Sequence, residues 1–121
     1  MTKWLPKDLK DALQDANEVD LTVTGRKSGR ESSRPIWFVL DRNRLLLLPV
    51  SGSHSNWYRN AVKTPEIRLA VEGAELRATA KPIEDPAGVA DVAGKFGEKY
   101  GAGRVEEYYP QQDAALEVPL G

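Results

Sequence analysis

Three strand-forming runs follow one another between Val19 and Val50, joined by short polar turns. Val19–Thr24 alternates and is β-branched, Arg34–Leu40 is rich in aromatic and branched residues, and Leu45–Val50 is continuously apolar. The first two are separated around Gly25-Arg26-Lys27-Ser28-Gly29, the second and third by Asp41-Arg42-Asn43-Arg44. Both connections read as hairpins, and consecutive hairpins commit a chain to an antiparallel sheet.

The rest of the sequence supplies helices and further strands. Pro6–Ala16 has a proline at a helix start and Leu9, Leu13 and Ala16 at helical spacing, which predicts a short amphipathic helix. Trp57–Val62 fits a turn or two of helix before Thr64-Pro65. Ile67–Val71 and Leu76–Lys81 flank Glu72-Gly73-Ala74-Glu75 as another hairpin. Asp85 is a plausible N-cap with Pro86 behind it, and Val89, Val92, Ala93 and Phe96 form a stripe that runs to Tyr100 and stops at Gly101. Ala114–Pro119 reads as a last strand. The expectation is a mainly β, α+β domain over residues 1–121. Its five to six antiparallel strands form a small barrel or highly curved sheet, with an N-terminal helix in 1–18, barrel strands in 19–82, a helix in 85–101, and a tail in 102–121 with the last strand.

Charge is divided unevenly along this domain. Residues 21–71 carry nine Lys and Arg against three Asp and Glu, whereas residues 72–121 carry five against ten. A basic middle in an acidic protein fits a local site for one anion better than a nucleic-acid or membrane surface. The longest apolar run, Leu45–Val50, is far too short for a membrane span, which needs about 20 residues. The first ten residues are too charged for a secretory signal, and there is no cysteine, so a cytoplasmic protein without disulfides is expected. One histidine, His54, without cysteine leaves no plausible metal set. Serines beside His54 do not make a triad, because the base must be held by a carboxylate and aimed at a nucleophile from elsewhere in the fold.

Thr24-Gly25-Arg26-Lys27-Ser28-Gly29-Arg30 has the clearest chemistry. Two glycines let the turn close with its N–H groups converging, and three cations and a hydroxyl supply donors for phosphate or carboxylate. The loop has neither the Walker spacing nor a dinucleotide Gly-x-Gly-x-x-Gly, and alone it is equally a solvated turn. Trp37 and Phe38, adjacent in a strand, face opposite sides. Trp57 and Tyr58 could form a ligand wall or a core anchor, and Tyr100, Tyr108 and Tyr109 could donate a proton to a substrate oxygen or pack on the surface.

The order of elements, with Thr-Gly-Arg-Lys-Ser-Gly after the first strand and Trp57-Tyr58-x-Asn60 and Thr64-Pro65 after the third, resembles the deazaflavin-dependent nitroreductase family. That family lies within the split β-barrel flavin and deazaflavin oxidoreductases. The likeness runs from Leu21 to Val71, and more loosely through Tyr108-Tyr109-Pro110 and Glu117-Val118-Pro119-Leu120. It implies an FMN-binding-like split barrel that binds coenzyme F420, or FMN as the alternative, and reduces quinones, nitro compounds or other small unsaturated molecules. By motif, Arg26, Lys27, Ser28 and Arg30 would hold the phosphate and acidic tail, with Arg34 a further candidate. The ring would lie against Pro35 and Ile36 and against Pro49, Val50 and Ser51, with Trp57, Tyr58 and Asn60 closing one side. Tyr58, Tyr108 and Tyr109 are the candidate catalytic residues. Hydride transfer is the cofactor's own chemistry, which suits a chain without cysteine or a metal set.

Many members carry an arginine three residues before the strand proline. Here Ser32 stands at that position and Arg34 directly precedes Pro35. Neighbouring strand positions face opposite ways, which would turn Arg34 from the phosphate and favours FMN. The loop before Trp57 is also short and lacks the family's lysine. A non-catalytic module that binds an anionic ligand is the third reading, and fold analogy implies a homodimer.

Overall fold

The computed structural model describes residues 6–120. The ends of the expected domain, residues 1–5 and 121, and the side chain of Leu9 lie outside the described residues. Eight strands form two four-stranded antiparallel sheets. The first has the order β2-β1-β5-β6, from β1 (Glu18–Thr24), β2 (Glu31–Trp37), β5 (Glu66–Val71) and β6 (Ala74–Thr79). The second has the order β3-β4-β8-β7, from β3 (Val39–Asp41), β4 (Arg44–Leu47), β7 (Lys81–Ile83) and β8 (Ala115–Pro119). Helix α1 (Pro6–Asp15) precedes β1, α2 (Asn56–Lys63) joins the sheets, and α3 (Pro86–Tyr100) and α4 (Ala102–Tyr108) precede β8.

The strand count corrects the five or six expected. Two of the expected strands each pass from one sheet to the other, breaking at Phe38 between β2 and β3 and at Ala80 between β6 and β7. Both corner residues are buried, so each bend turns a side chain into the core. The three expected hairpins are present as β1·β2, β3·β4 and β5·β6.

The apolar run of β4 is explained by what lies on its two faces. Leu45 and Leu47 enter the core between the sheets with Leu13, Leu21, Leu69, Leu116 and Val118. Leu46 and Leu48 face the other way, into a second core with Val92, Phe96, Val105 and Tyr109 of the α3–α4 layer. A strand covered on both sides has no reason to alternate. Helix α3 starts as its sequence dictates: the Asp85 carboxylate accepts from the Gly88 N–H at 2.8 Å, and Pro86 occupies the first turn. Helix α4 is a correction, because its residues were expected to be tail. It buries only Val105 within its span, too little to give a periodic signal.

Candidate functional site

The basic loop is closed by its own backbone. The Gly25 N–H donates to the Arg30 carbonyl at 2.8 Å, the Gly29 N–H to the Gly25 carbonyl at 2.9 Å, and the Arg30 N–H to Ser28 Oγ at 3.1 Å. Gly29 has φ +73°, a left-handed conformation that glycine adopts without strain. The N–H groups of Lys27 and Ser28 have no partner among the described residues and remain for a ligand.

Helix α2 fixes this loop. Asn60 Oδ1 accepts both the Arg26 N–H at 3.0 Å and an Arg26 guanidinium N–H at 2.7 Å, and Asn56 accepts at its carbonyl and side-chain oxygens. Arg26 and Asn60, both expected against cofactor, are thus brought together as a clamp. Lys27, Ser28, Arg30 and Arg34 are exposed, and the three cations have no ion pair among the described residues.

The β1–β2 register corrects the expected facing of Arg34. Ser32 pairs with Val23, Arg34 with Leu21 and Ile36 with Val19. Val19, Leu21 and Val23 all enter the core, so Ser32, Arg34 and Ile36 share one face of β2. Arg34 lies two residues from Ser32, not one, and the argument for FMN from its orientation falls.

Helix α2 also borders an apolar cleft of about 370 Å³, lined among the described residues by Glu18, Pro35, Ile36, Trp37, Leu48, Val50, Trp57, Tyr108 and Tyr109. Its volume lies in the range of small-molecule sites. Helix α2 connects the two features, since Trp57 lines the cleft one residue after Asn56 grips the loop. Of the residues expected against the ring, Pro35, Ile36, Val50 and Trp57 line this cleft. Pro49 and Ser51 do not: β4 ends at Leu47, Pro49 is buried, and the Ser51 N–H turns to Ser55 Oγ at 2.9 Å.

Tyr58 is not a cleft residue either. It is buried in the core between the sheets, and its hydroxyl donates to Glu84 Oε2 at 2.8 Å. Burial first, then this carboxylate, raises its pKa well above the usual phenol value. This corrects its expected part in catalysis and in the ligand wall.

The other two expected tyrosines do meet the cleft. Tyr108 is half-exposed and stands edge-on to Trp37, with ring centroids 5.2 Å apart. Tyr109 is buried, and its hydroxyl has no hydrogen bond among the described residues. Burial, with Tyr100 a lesser cause, raises its pKa, so the phenol stays protonated through the physiological range.

Behind the cleft, Trp37 stacks on Tyr100 at 4.1 Å and 8°. The Tyr100 hydroxyl accepts from the Phe38 N–H at 3.1 Å and lies 2.7 and 2.8 Å from the carbonyls of Phe38 and Asn17. Trp37 thus faces the cleft and Phe38 the core, with Tyr100 locking the corner between the sheets.

Sequence reasoning missed Glu18, Leu48, Asn56 and Asp113. The Asp113 carboxylate accepts the Ser53 N–H at 2.9 Å and the Ser53 hydroxyl at 2.7 Å. It ties the chain after Tyr109 to the turn after Val50. Gly52 has φ +57°, and a Cβ there would lie 2.0 Å from Asp113 Oδ1, so this contact requires glycine. No local pattern announces a bond across 60 residues. No group of histidine and carboxylate side chains among the described residues could hold a metal ion, and no described helix is long and apolar enough to cross a membrane.

Residues 8–91 match the profile of a family described as F420H(2)-dependent quinone reductase. Among solved structures, an F420-H2-dependent reductase aligns at a TM-score of 0.66 and 20% identity, covering 84% of this chain and 93% of that one. A conserved hypothetical protein of Mycobacterium tuberculosis aligns at 0.73 and 14%, covering 98% and 78%. A third structure, described as a domain-swapped dimer, aligns at 0.67 and 17%, covering 93% and 95%. At these identities the structures share the fold, a split barrel.

Proposed function

The chain belongs to the F420H(2)-dependent quinone reductase family, an oxidoreductase family, and from this premise we propose that it reduces a quinone or a similar small unsaturated acceptor at the apolar cleft. The observation that carries the reading is the double role of α2. Its asparagines hold the basic loop through Arg26, and its Trp57 walls the cleft, so a ligand with an anionic end and a flat apolar end meets both halves of a site fixed by one helix.

Coenzyme F420 has that form, and the residues present fit it. Lys27, Arg30 and Arg34, with the free N–H groups of Lys27 and Ser28, would hold its anionic part by charge-assisted hydrogen bonds. Pro35, Ile36, Val50 and Trp57 would hold its ring. When bound in reduced form, the coenzyme supplies the hydride.

The protein's share is placement and polarity. Trp57, Ile36, Leu48 and Val50 keep water from the flat ligands and limit their tilt. Tyr109 presents a protonated phenol to the acceptor oxygen that gains electron density, where a hydrogen bond stabilises the developing charge. Tyr108 closes the open side.

We extend the reading to a homodimer. Strand β2 is a sheet edge with residues 31–35 exposed, an arrangement that invites pairing. Sedimentation at assay concentration is expected to give twice the chain mass, and a monomer would remove this extension alone.

A turnover assay tests the activity. Protein mixed with reduced F420 and a naphthoquinone is expected to oxidise the coenzyme with saturation in both reactants. A rate no greater than the protein-free control across quinones and nitroaromatics would reject the reading.

A further inference from the structure

Glu18 is the only charged residue among the nine described residues that line the cleft. It begins β1 directly across from Trp37, and opposed residues on an antiparallel pair project to the same side. It is exposed, and no hydrogen bond or ion pair holds it among the described residues.

Among the described cations, Arg34 has no ion pair but lies on the face of β2 opposite Trp37 and Glu18, and those of the loop and α3 lie or bind elsewhere. Arg26 is bound by Asn56 and Asn60. Lys99 Nζ donates to the carbonyls of Phe38 and Ala16 and sits 3.7 Å from the Phe38 ring centroid, facing a different hollow beside Leu13 and Val39. Lys27 and Arg30 belong to the loop.

The remaining walls add to the asymmetry. Trp37, Trp57, Tyr108 and Tyr109 are aromatic, and ring faces attract cations. Glu18 also acts on this aromatic group: after burial, its charge contributes to raising Tyr100 to about 12.

We infer that the cleft selects acceptors by charge, with Glu18 as the specificity residue: flat cationic molecules are favoured, neutral ones accepted, and anionic ones disfavoured. The inference deepens the reductase reading and rests on it for the word acceptor. It separates two charge preferences in one site. The loop takes the anionic end of one ligand, while the cleft repels an anion on the other.

Three naphthoquinones with one core and a side chain ending in trimethylammonium, hydroxyl or sulfonate provide the test. Their binding to cofactor-free protein is read by quenching of tryptophan fluorescence at low and moderate salt. The ammonium compound is expected to bind roughly three- to tenfold tighter than the sulfonate at low salt, with the gap shrinking as salt rises.

Glu18→Gln is expected to bring the spread within about twofold, whereas Glu72→Gln in the β5–β6 turn retains it. An undiminished spread in Glu18→Gln, or tightest binding of the sulfonate, overturns the inference. The same compounds are then assayed for turnover with reduced F420. Charge-ordered binding without turnover rejects the reductase reading and leaves the charge selection standing, while turnover without charge order does the reverse.

Discussion

Asn60 accepts two hydrogen bonds from Arg26, one from the backbone and one from the guanidinium. Replacing it with alanine leaves a half-buried arginine without its main acceptor, which costs about 1–3 kcal/mol. Asn60→Ala is therefore expected to lower the denaturant midpoint and to weaken F420 binding together, because the loop loses its anchor.

Tyr109→Phe separates two other effects. Ring packing against Phe96 and Trp37 persists, so stability and coenzyme binding are expected to stay near wild type. The turnover number is expected to fall roughly tenfold, about 1.4 kcal/mol for a lost hydrogen bond to developing charge.

The phenols also set an alkaline limit. Tyr100 is raised to about 12, mainly by burial, from an ordinary value of 10.0. The unfolded chain then loses its proton first, so this contribution is whole below pH 10 and is lost as pH rises toward 12. Denaturant melts between pH 8 and 12 are expected to show stability constant to about 10 and falling beyond it.

At this scale the sequence left Tyr108 and Tyr109 open between proton donor and packing, and the structure places both on the cleft wall, with Tyr109 also in the second core. Tyr58 was not legible, because both it and Trp57 are buried in the core, and adjacency cannot say which of the two also reaches the cleft.

Among the elements, β4 carries most of the packing. Leu46 is fully buried in the layer between the second sheet and α3, where Leu46→Ala is expected to cost about 2–5 kcal/mol in chemical denaturation. The chain between α4 and β8 is held differently, by Asp113 on Ser53. Asp113→Ala is expected to raise the KM for the acceptor more than the Kd for F420, since it frees the segment behind Tyr109 and leaves the basic loop intact. Equal effects on both would show that this contact supports the whole site.

The hairpins were readable from alternation and turn residues, and α3 from its cap and stripe. The divisions at Phe38 and Ala80 were not, because a strand that changes sheets remains a continuous run of strand-forming residues. Nor was α4, whose seven residues, Gly103 among them, lean on a core supplied by other elements.

Across the whole molecule, a net charge of −1 conceals a division of labour. Four of the nine cations in residues 21–71, Arg26, Lys27, Arg30 and Arg34, stand in the loop and β2, while Glu18 lies in the cleft. The basic loop as a candidate anion site was legible from charge and glycine spacing. That α2 joins it to an apolar cleft was not, because the join depends on Asn56 and Trp57 being adjacent on a helix that touches both.

The coenzyme's hold at the basic loop decides between this site and any other on the fold. Fluorescence titration of F420 into wild type and into Lys27→Ala/Arg30→Ala, at low and moderate salt, measures it. The double variant is expected to bind at least about tenfold more weakly, with a smaller salt dependence and an unchanged melting temperature, because exposed loop charges contribute little to folding. Equal binding by the two proteins would contradict the account and place the coenzyme elsewhere on the fold.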